Sequence, residues 1–165
     1  MCSSDLEQAP TQILQTALNA FGSVNVLINN AGIGRTTYTR DLLSKPPRTW
    51  EISADIWQKF FAVNAMAAIR LSGVVVPHLL TQSWGRIINV TTSLDSMLRA
   101  GSGPYGASKA AFEAFCAELG DELVGTGITV NVLVPGGPTD TAMIPPESGV
   151  ARHALRSEEH TSELQ

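Results

Sequence analysis

The chain has 165 residues, a length that predicts one domain with a packed core. Apolar residues make up 44% and charged residues 16%, a globular composition and not a disordered one. A formal net charge of -4, with no basic patch interleaved with aromatics, gives no footprint for nucleic acid or an anionic membrane surface.

Two cysteines, Cys2 and Cys116, make no disulfide framework, so a reducing cytoplasm is the default compartment. The apolar run 71–80 contains Pro77 and His78 and is too short to span a bilayer. MCSSDLEQAP has neither a basic n-region nor an apolar h-region, so it does not read as a signal peptide.

The first and last stretches, MCSSDL and RSEEHTSELQ, both resemble the translation of one sequencing adapter. One adapter strand reads as residues 156–165, and its reverse complement, with GTG as start codon, reads as residues 1–6. The expectation is a native segment of 7–155 between two non-native ends, which are excluded from fold reasoning. The ends hold Asp5, Arg156, Glu158, Glu159 and Glu163. Taking these from 11 basic and 15 acidic residues leaves 10 and 11, so the formal charge of 7–155 is about -1.

In chain order, Ile13, Leu14, Ala17, Leu18 and Phe21 keep helical spacing, and Gly22 ends that helix. Residues 24–28 form a short β-branched run, as expected of a strand buried on both faces. Residues 35–55 read as a loop or broken helix, with Pro46 and Pro47 as breakers. Ser53 or Asp55 caps the next helix, which carries Ile56, Phe60, Phe61, Val63, Met66, Ile69 and Leu71 towards Leu80 and is bent or broken late by Pro77. Residues 86–90 are a second buried strand, 94–104 a loop, 105–124 an alanine-rich helix and 128–134 a third strand. The remainder, from PTDTAM onward, is irregular.

Short apolar strands alternating with helices predict βαβ units with right-handed crossovers and a parallel sheet. Ligands of such sheets sit beyond the carboxyl ends of the strands. NNAG follows the first strand, TTS the second and PGG the third. On the third helix, Tyr105 and Lys109 are i and i+4, hence neighbours on one face. A free phenol is a poor acid-base catalyst near neutrality, and a nearby ammonium favours its phenolate. An ordinary tyrosine and lysine explain the pair alone equally well. Asn29 to Gly32 also fit a plain strand-ending turn, and Asn64 fits a satisfied core amide. Thr91, Thr92 and Ser93 add hydroxyls at the same sheet edge. The joint pattern is far more specific than its parts.

That pattern resembles the short-chain dehydrogenase/reductase family. NVLINNAGIG, FFAVNAMA, GRIINVTTS, YGASKAAFEAF and ITVNVLVPGG match in order and spacing across nearly all of 7–141. The resemblance implies a doubly wound, three-layer α/β Rossmann-type fold. It also implies hydride transfer between NAD or NADP and the carbonyl or secondary alcohol of a small molecule. Tyr105 is then the proton donor or acceptor. Lys109 depresses its pKa and binds the nicotinamide ribose. Asn64 holds a relay water. Thr92 polarises the substrate oxygen, with Ser93 as the alternative. Asn29, Ala31 and Gly32 line the adenosine side of the cofactor or brace the sheet. Pro135 and Gly136 lie near the nicotinamide, with Thr141 or Thr139 at its carboxamide. No metal ligand set is implied. In related enzymes the two long helices build dimer and tetramer contacts.

The family's glycine-rich first turn, Gly-x-x-x-Gly-x-Gly, is not in this chain; GIGRTT (32–37) follows the NNAG strand and lacks the third glycine. The resemblance therefore implies an N-terminal βαβαβ half of roughly 60–80 residues, and a C-terminal end, outside this sequence. It also implies negligible turnover by this chain alone. A noncatalytic, fold-related scaffold or regulator is the competing reading. A nucleotide-sugar epimerase shares the Tyr/Lys pair, but NNAG and the PGG spacing argue against it.

Overall fold

The computed structural model describes residues 3–39 and 45–136, with side chains from residue 8 onward. Helix α1 (Ser3–Phe21) leads to strand β1 (Val26–Asn29). Two short 3-10 turns, Arg35–Thr37 and Thr49–Glu51, precede α2 (Ala54–Phe61), a π-helical turn (Ala62–Met66) and α3 (Ala67–Gln82). Then come β2 (Gly85–Val90), α4 (Leu94–Leu98), α5 (Gly103–Glu122) and β3 (Ile128–Leu133). Thr139 and Thr141 lie outside the described residues.

The strands form a parallel sheet in the order β1-β2-β3. Leu27 pairs with Ile87, and Ile87 with Val130, so these side chains share one face. Leu27, Ile87 and Ile128 pack there against Val75 and Leu79 of α3 and Leu119 and Leu123 near the end of α5. Each is nearly removed from water, and each such burial contributes roughly 1.5–3 kcal/mol. Val26, Ile28 and Leu133, on the opposite face, remain 46%, 59% and 40% exposed. The described residues thus supply the sheet and one helical layer of the expected three.

Several boundaries differ from those read in the sequence. Strand β1 starts at residue 26, not 24, because side chains of α3 occupy the Val24 backbone. His78 Nε2 accepts from its N–H at 3.2 Å, and Gln82 Nε2 donates to its carbonyl at 2.8 Å. Pro77 does not break α3. Pro77 and Gly73, the i−4 residue whose carbonyl loses its partner, are both exposed, so water can take that carbonyl. The irregularity lies earlier, at the π turn, where Ala67 N–H bonds to Ala62 C=O. Residues 94–98, read as loop, are helical because Ser93 caps them: its Oγ accepts from Ser96 N–H at 3.3 Å.

The helical stretch 54–82 is also longer than its apolar run suggested, and by length and composition it could cross a bilayer. Its Val75 and Leu79 are instead committed to the sheet.

Candidate active site

The ends of β1 and β2 meet the first turns of α5: Gly32 faces Lys109, and Lys109 reaches Val90. Pro104 sits in the first turn of that helix, where its missing N–H costs nothing. From there Tyr105 and Lys109 project one turn apart; Tyr105 is half-buried and Lys109 only 6% exposed.

Lys109 Nζ donates to the Val90 carbonyl, the last of β2, at 2.9 Å. Burial holds its ammonium below the usual lysine range, while Cys116 and Glu113 pull it back up. One of its three donors is used on Val90, which leaves two for a ligand. Gly32 faces it: a Cβ there would come within 3.7 Å of Nζ and 3.3 Å of Asn64 Oδ1. An added Cβ would crowd Asn64 Oδ1, while Lys109 Nζ stands at ordinary contact distance from the same point.

The buried Asn64 amide holds that turn in place. Its Oδ1 accepts from Ile33 N–H at 2.8 Å, and its Nδ2 donates to Ile33 C=O at 3.0 Å and Ser108 Oγ at 3.2 Å. Both Nδ2 hydrogens are used, so the side chain acts as a clamp between the NNAG turn and α5. Ser108, missed in the sequence, is fully buried and donates to the Tyr105 carbonyl at 2.9 Å. Its place in YGASK, three residues after Tyr105, was the available signal.

Asn29 braces the sheet: its Nδ2 donates to Asn89 Oδ1 at 2.8 Å and Ser72 Oγ at 3.2 Å. Ala31 is exposed beside it.

Beyond β2 the two hydroxyl candidates separate. Ser93 is engaged as the cap of α4, and its Oγ donates to Ser96 Oγ at 3.0 Å. Thr92 is half-buried, and its hydroxyl makes no hydrogen bond among the described residues. Beyond β3, Pro135 is half-buried and Gly136 exposed.

Cys116 lies one helical stretch below Lys109 and is 3% exposed. Burial, and then Glu113, push its thiol up to about 11 from an ordinary 9.0. In a Cys2→Ser background, iodoacetamide at pH 8 is expected to alkylate the folded chain at least about 100-fold more slowly than the urea-unfolded chain, since two units of pKa remove that much thiolate. Equal rates would show Cys116 to be accessible.

The family model described as short chain dehydrogenase matches residues 2–148. The chain belongs to the short-chain dehydrogenase family. A short-chain type dehydrogenase/reductase from Picea abies is 36% identical over 139 residues, covering 82% of this chain and 48% of the relative. The 3-oxoacyl-(acyl-carrier-protein) reductase FabG of Salmonella typhimurium is 35% identical over 124 residues, covering 75% of this chain and 47% of FabG. The crystal structure of a short-chain dehydrogenase from Streptomyces avermitilis superposes with a TM-score of 0.69 at 25% identity, over 83% of this chain and 46% of that one. The chain spans about half the length of the curated relatives it matches. This short-chain dehydrogenase sequence shares a family that binds NAD or NADP. A buried ammonium with two donors to spare, facing a turn stripped of a side chain at Gly32, suits the hydroxyls of a nicotinamide ribose.

Proposed function

We propose that the protein is an NAD- or NADP-dependent oxidoreductase acting on a small-molecule carbonyl or secondary alcohol. Residues 7–155 are read as part of one nucleotide-binding domain. The observation that carries the proposal is Lys109: a buried ammonium fastened to the end of β2, one turn from Tyr105. The cofactor supplies or accepts the hydride. Tyr105 delivers a proton to the carbonyl oxygen in reduction and removes it from the alcohol in oxidation. Thr92, with its hydroxyl uncommitted, donates to the same oxygen, and Ser93 serves as helix cap. Lys109 binds the ribose, one helical turn from Tyr105. Asn64 acts through its clamp on Ile33. Pro135 and Gly136, with Thr139 or Thr141, flank the nicotinamide. A cytoplasmic homodimer or homotetramer is the assembly proposed.

The test is made on the full-length protein encoded at this locus, assayed for NADH and NADPH oxidation against a panel of ketones and oxo acids. Tyr105→Phe is expected to lower kcat by about 10²–10⁴-fold with unchanged folding. Undiminished kcat in that variant sinks the assignment. The isolated 165-residue chain is expected to show negligible turnover but to bind reduced nicotinamide mononucleotide, the half of the cofactor its residues address. Binding of neither nicotinamide form would favour the scaffold reading.

A further inference from the structure

Two residues of α3 hold the entry of β1. His78 and Gln82 are one turn apart, with their Nε2 atoms separated by 2.9 Å, and both reach the Val24 backbone. The Val24 N–H donates to His78 Nε2 at 3.2 Å, and the Val24 carbonyl accepts from Gln82 Nε2 at 2.8 Å. Gln82 Oε1 accepts from Asn25 Nδ2 at 2.9 Å. A carbonyl can only accept, so the nitrogen of Gln82, and not its oxygen, faces Val24. Two donors, the Val24 N–H and the Gln82 amide, therefore converge on His78 Nε2. The ring meets them as an acceptor only while that nitrogen is bare, which puts the proton of the neutral imidazole on Nδ1.

A second proton has one place to go, Nε2, where it would point at both donors. No carboxylate is at hand to offset it. Among the described residues His78 has no ion pair. The turn 22–25, β1 and residues 71–84 carry no acidic or basic side chain besides His78, and α1 carries only Asp5 and Glu7, at the opposite end of the helix from that turn. Arg70 of α3 is two turns away and is itself a cation. In β2, Arg86 donates to the Gly85 and Gly127 carbonyls and lies over the Trp84 ring. On α5, Glu113 is one turn from Lys109, and Glu118, Asp121 and Glu122 are exposed.

We propose that His78 is a pH-operated latch, which holds the start of β1 to α3 when neutral and releases it when protonated. An imidazole in ordinary surroundings takes its second proton at about pH 6.5. The folded arrangement accepts only the neutral ring, so the latch is shut above that pH and opens as the pH falls through and below it. Strand β1 has four residues, and directly ahead of it the Arg86 N–H donates to the Asn25 carbonyl at 3.0 Å. Release therefore frays the amino end of the strand whose other end leads into the NNAG turn. The latch is independent of the reaction proposed above.

The 165-residue chain itself serves for the test, by NMR at about pH 8 and about pH 5. Long-range proton–nitrogen spectra at the higher pH are expected to show the His78 proton on Nδ1. The exchange protection factor of the Val24 amide, relative to amides of β2, should fall about 3- to 10-fold at the lower pH, the net worth of one hydrogen bond. His78→Gln offers an acceptor that does not titrate, so its Val24 protection should be the same at both pH values. His78→Phe offers none and should leave Val24 poorly protected at both. His153 and His160 titrate in all three proteins, so a fall in Val24 protection that persists in His78→Gln overturns the latch. A proton on Nε2 at the higher pH overturns it too, as does Val24 protection in the unmodified chain that merely follows β2. These last two readings need no variant and stand even if a substitution fails to fold.

Discussion

Gly106→Ala is expected to destabilise the chain by at least about 3 kcal/mol, the upper part of the range for overpacking. A Cβ at Gly106 would stand 2.1 Å from Met97 O, 2.9 Å from Met97 C and 3.0 Å from Ser102 Cβ. The nearest atoms are the backbone of α4, which cannot rotate aside. Two bonds hold that backbone: Ser93 caps α4, and Ser102 Oγ donates to Ser96 C=O. Relief therefore requires α4 to back away from α5, and Thr92 lies directly before that cap. Helix propensity works the other way, since alanine is better than glycine in a helix by about 1 kcal/mol. Gly120→Ala in the same helix isolates that gain, because its Cβ would meet only Val130 Cβ at 3.9 Å, an ordinary contact. Urea unfolding of the two variants should move the midpoint in opposite directions. A Gly106→Ala midpoint within the error of the unmodified chain would mean that α4 and α5 are not packed as described.

The parts of this fold visible in the sequence were those decided locally. Each strand is a short run of β-branched residues with a turn after it, and the structure keeps all three within a residue or two. The Tyr105 and Lys109 pair was legible because i and i+4 spacing fixes a shared face whatever the surroundings. What the sequence concealed depends on partners far along the chain. Asn64 reaches a partner 31 residues away, and Asn29 one 60 residues away. Nothing in FFAVNAMAA distinguishes a clamp from a relay residue, and the π turn around Asn64 has no propensity signature. Arg35 looked like one polar residue in a loop; only the fold brings its guanidinium to the Gly101 carbonyl, 66 residues away. Helix α4 was hidden for the opposite reason. Its five residues are too few to show a period, and only Ser93 announced it.

Asn64→Leu carries the second large effect, a loss of about 2–4 kcal/mol, because leucine keeps the branched outline of asparagine with bulkier ends and none of its polar atoms. The side chain is 1% exposed, so water does not easily replace what is removed. The Ile33 N–H and C=O each lose a partner, as does Ser108 Oγ, and an orphaned buried group costs about 1–3 kcal/mol. Leucine's added burial returns part of that. Asn64→Asp sharpens the case. It keeps an acceptor for Ile33 N–H but turns an oxygen towards Ile33 C=O, so it should be no better than leucine despite its polarity. Hydrogen exchange at the Ile33 amide reads the clamp directly. It should quicken in both variants by more than the global loss of stability explains, while amides of β2 follow the global change alone. If Ile33 exchanges no faster than β2, Asn64 stabilises the core without fixing the turn. The distinction matters for chemistry because Gly32 is held 3.7 Å, as a Cβ would measure it, from Lys109 Nζ by the residue next to it. With the clamp released, Lys109 keeps its bond to Val90 but loses the fixed wall it faces. Cofactor affinity should then fall more than the pH dependence of turnover changes in the full-length protein. A relay role for the Asn64 side chain predicts the reverse order.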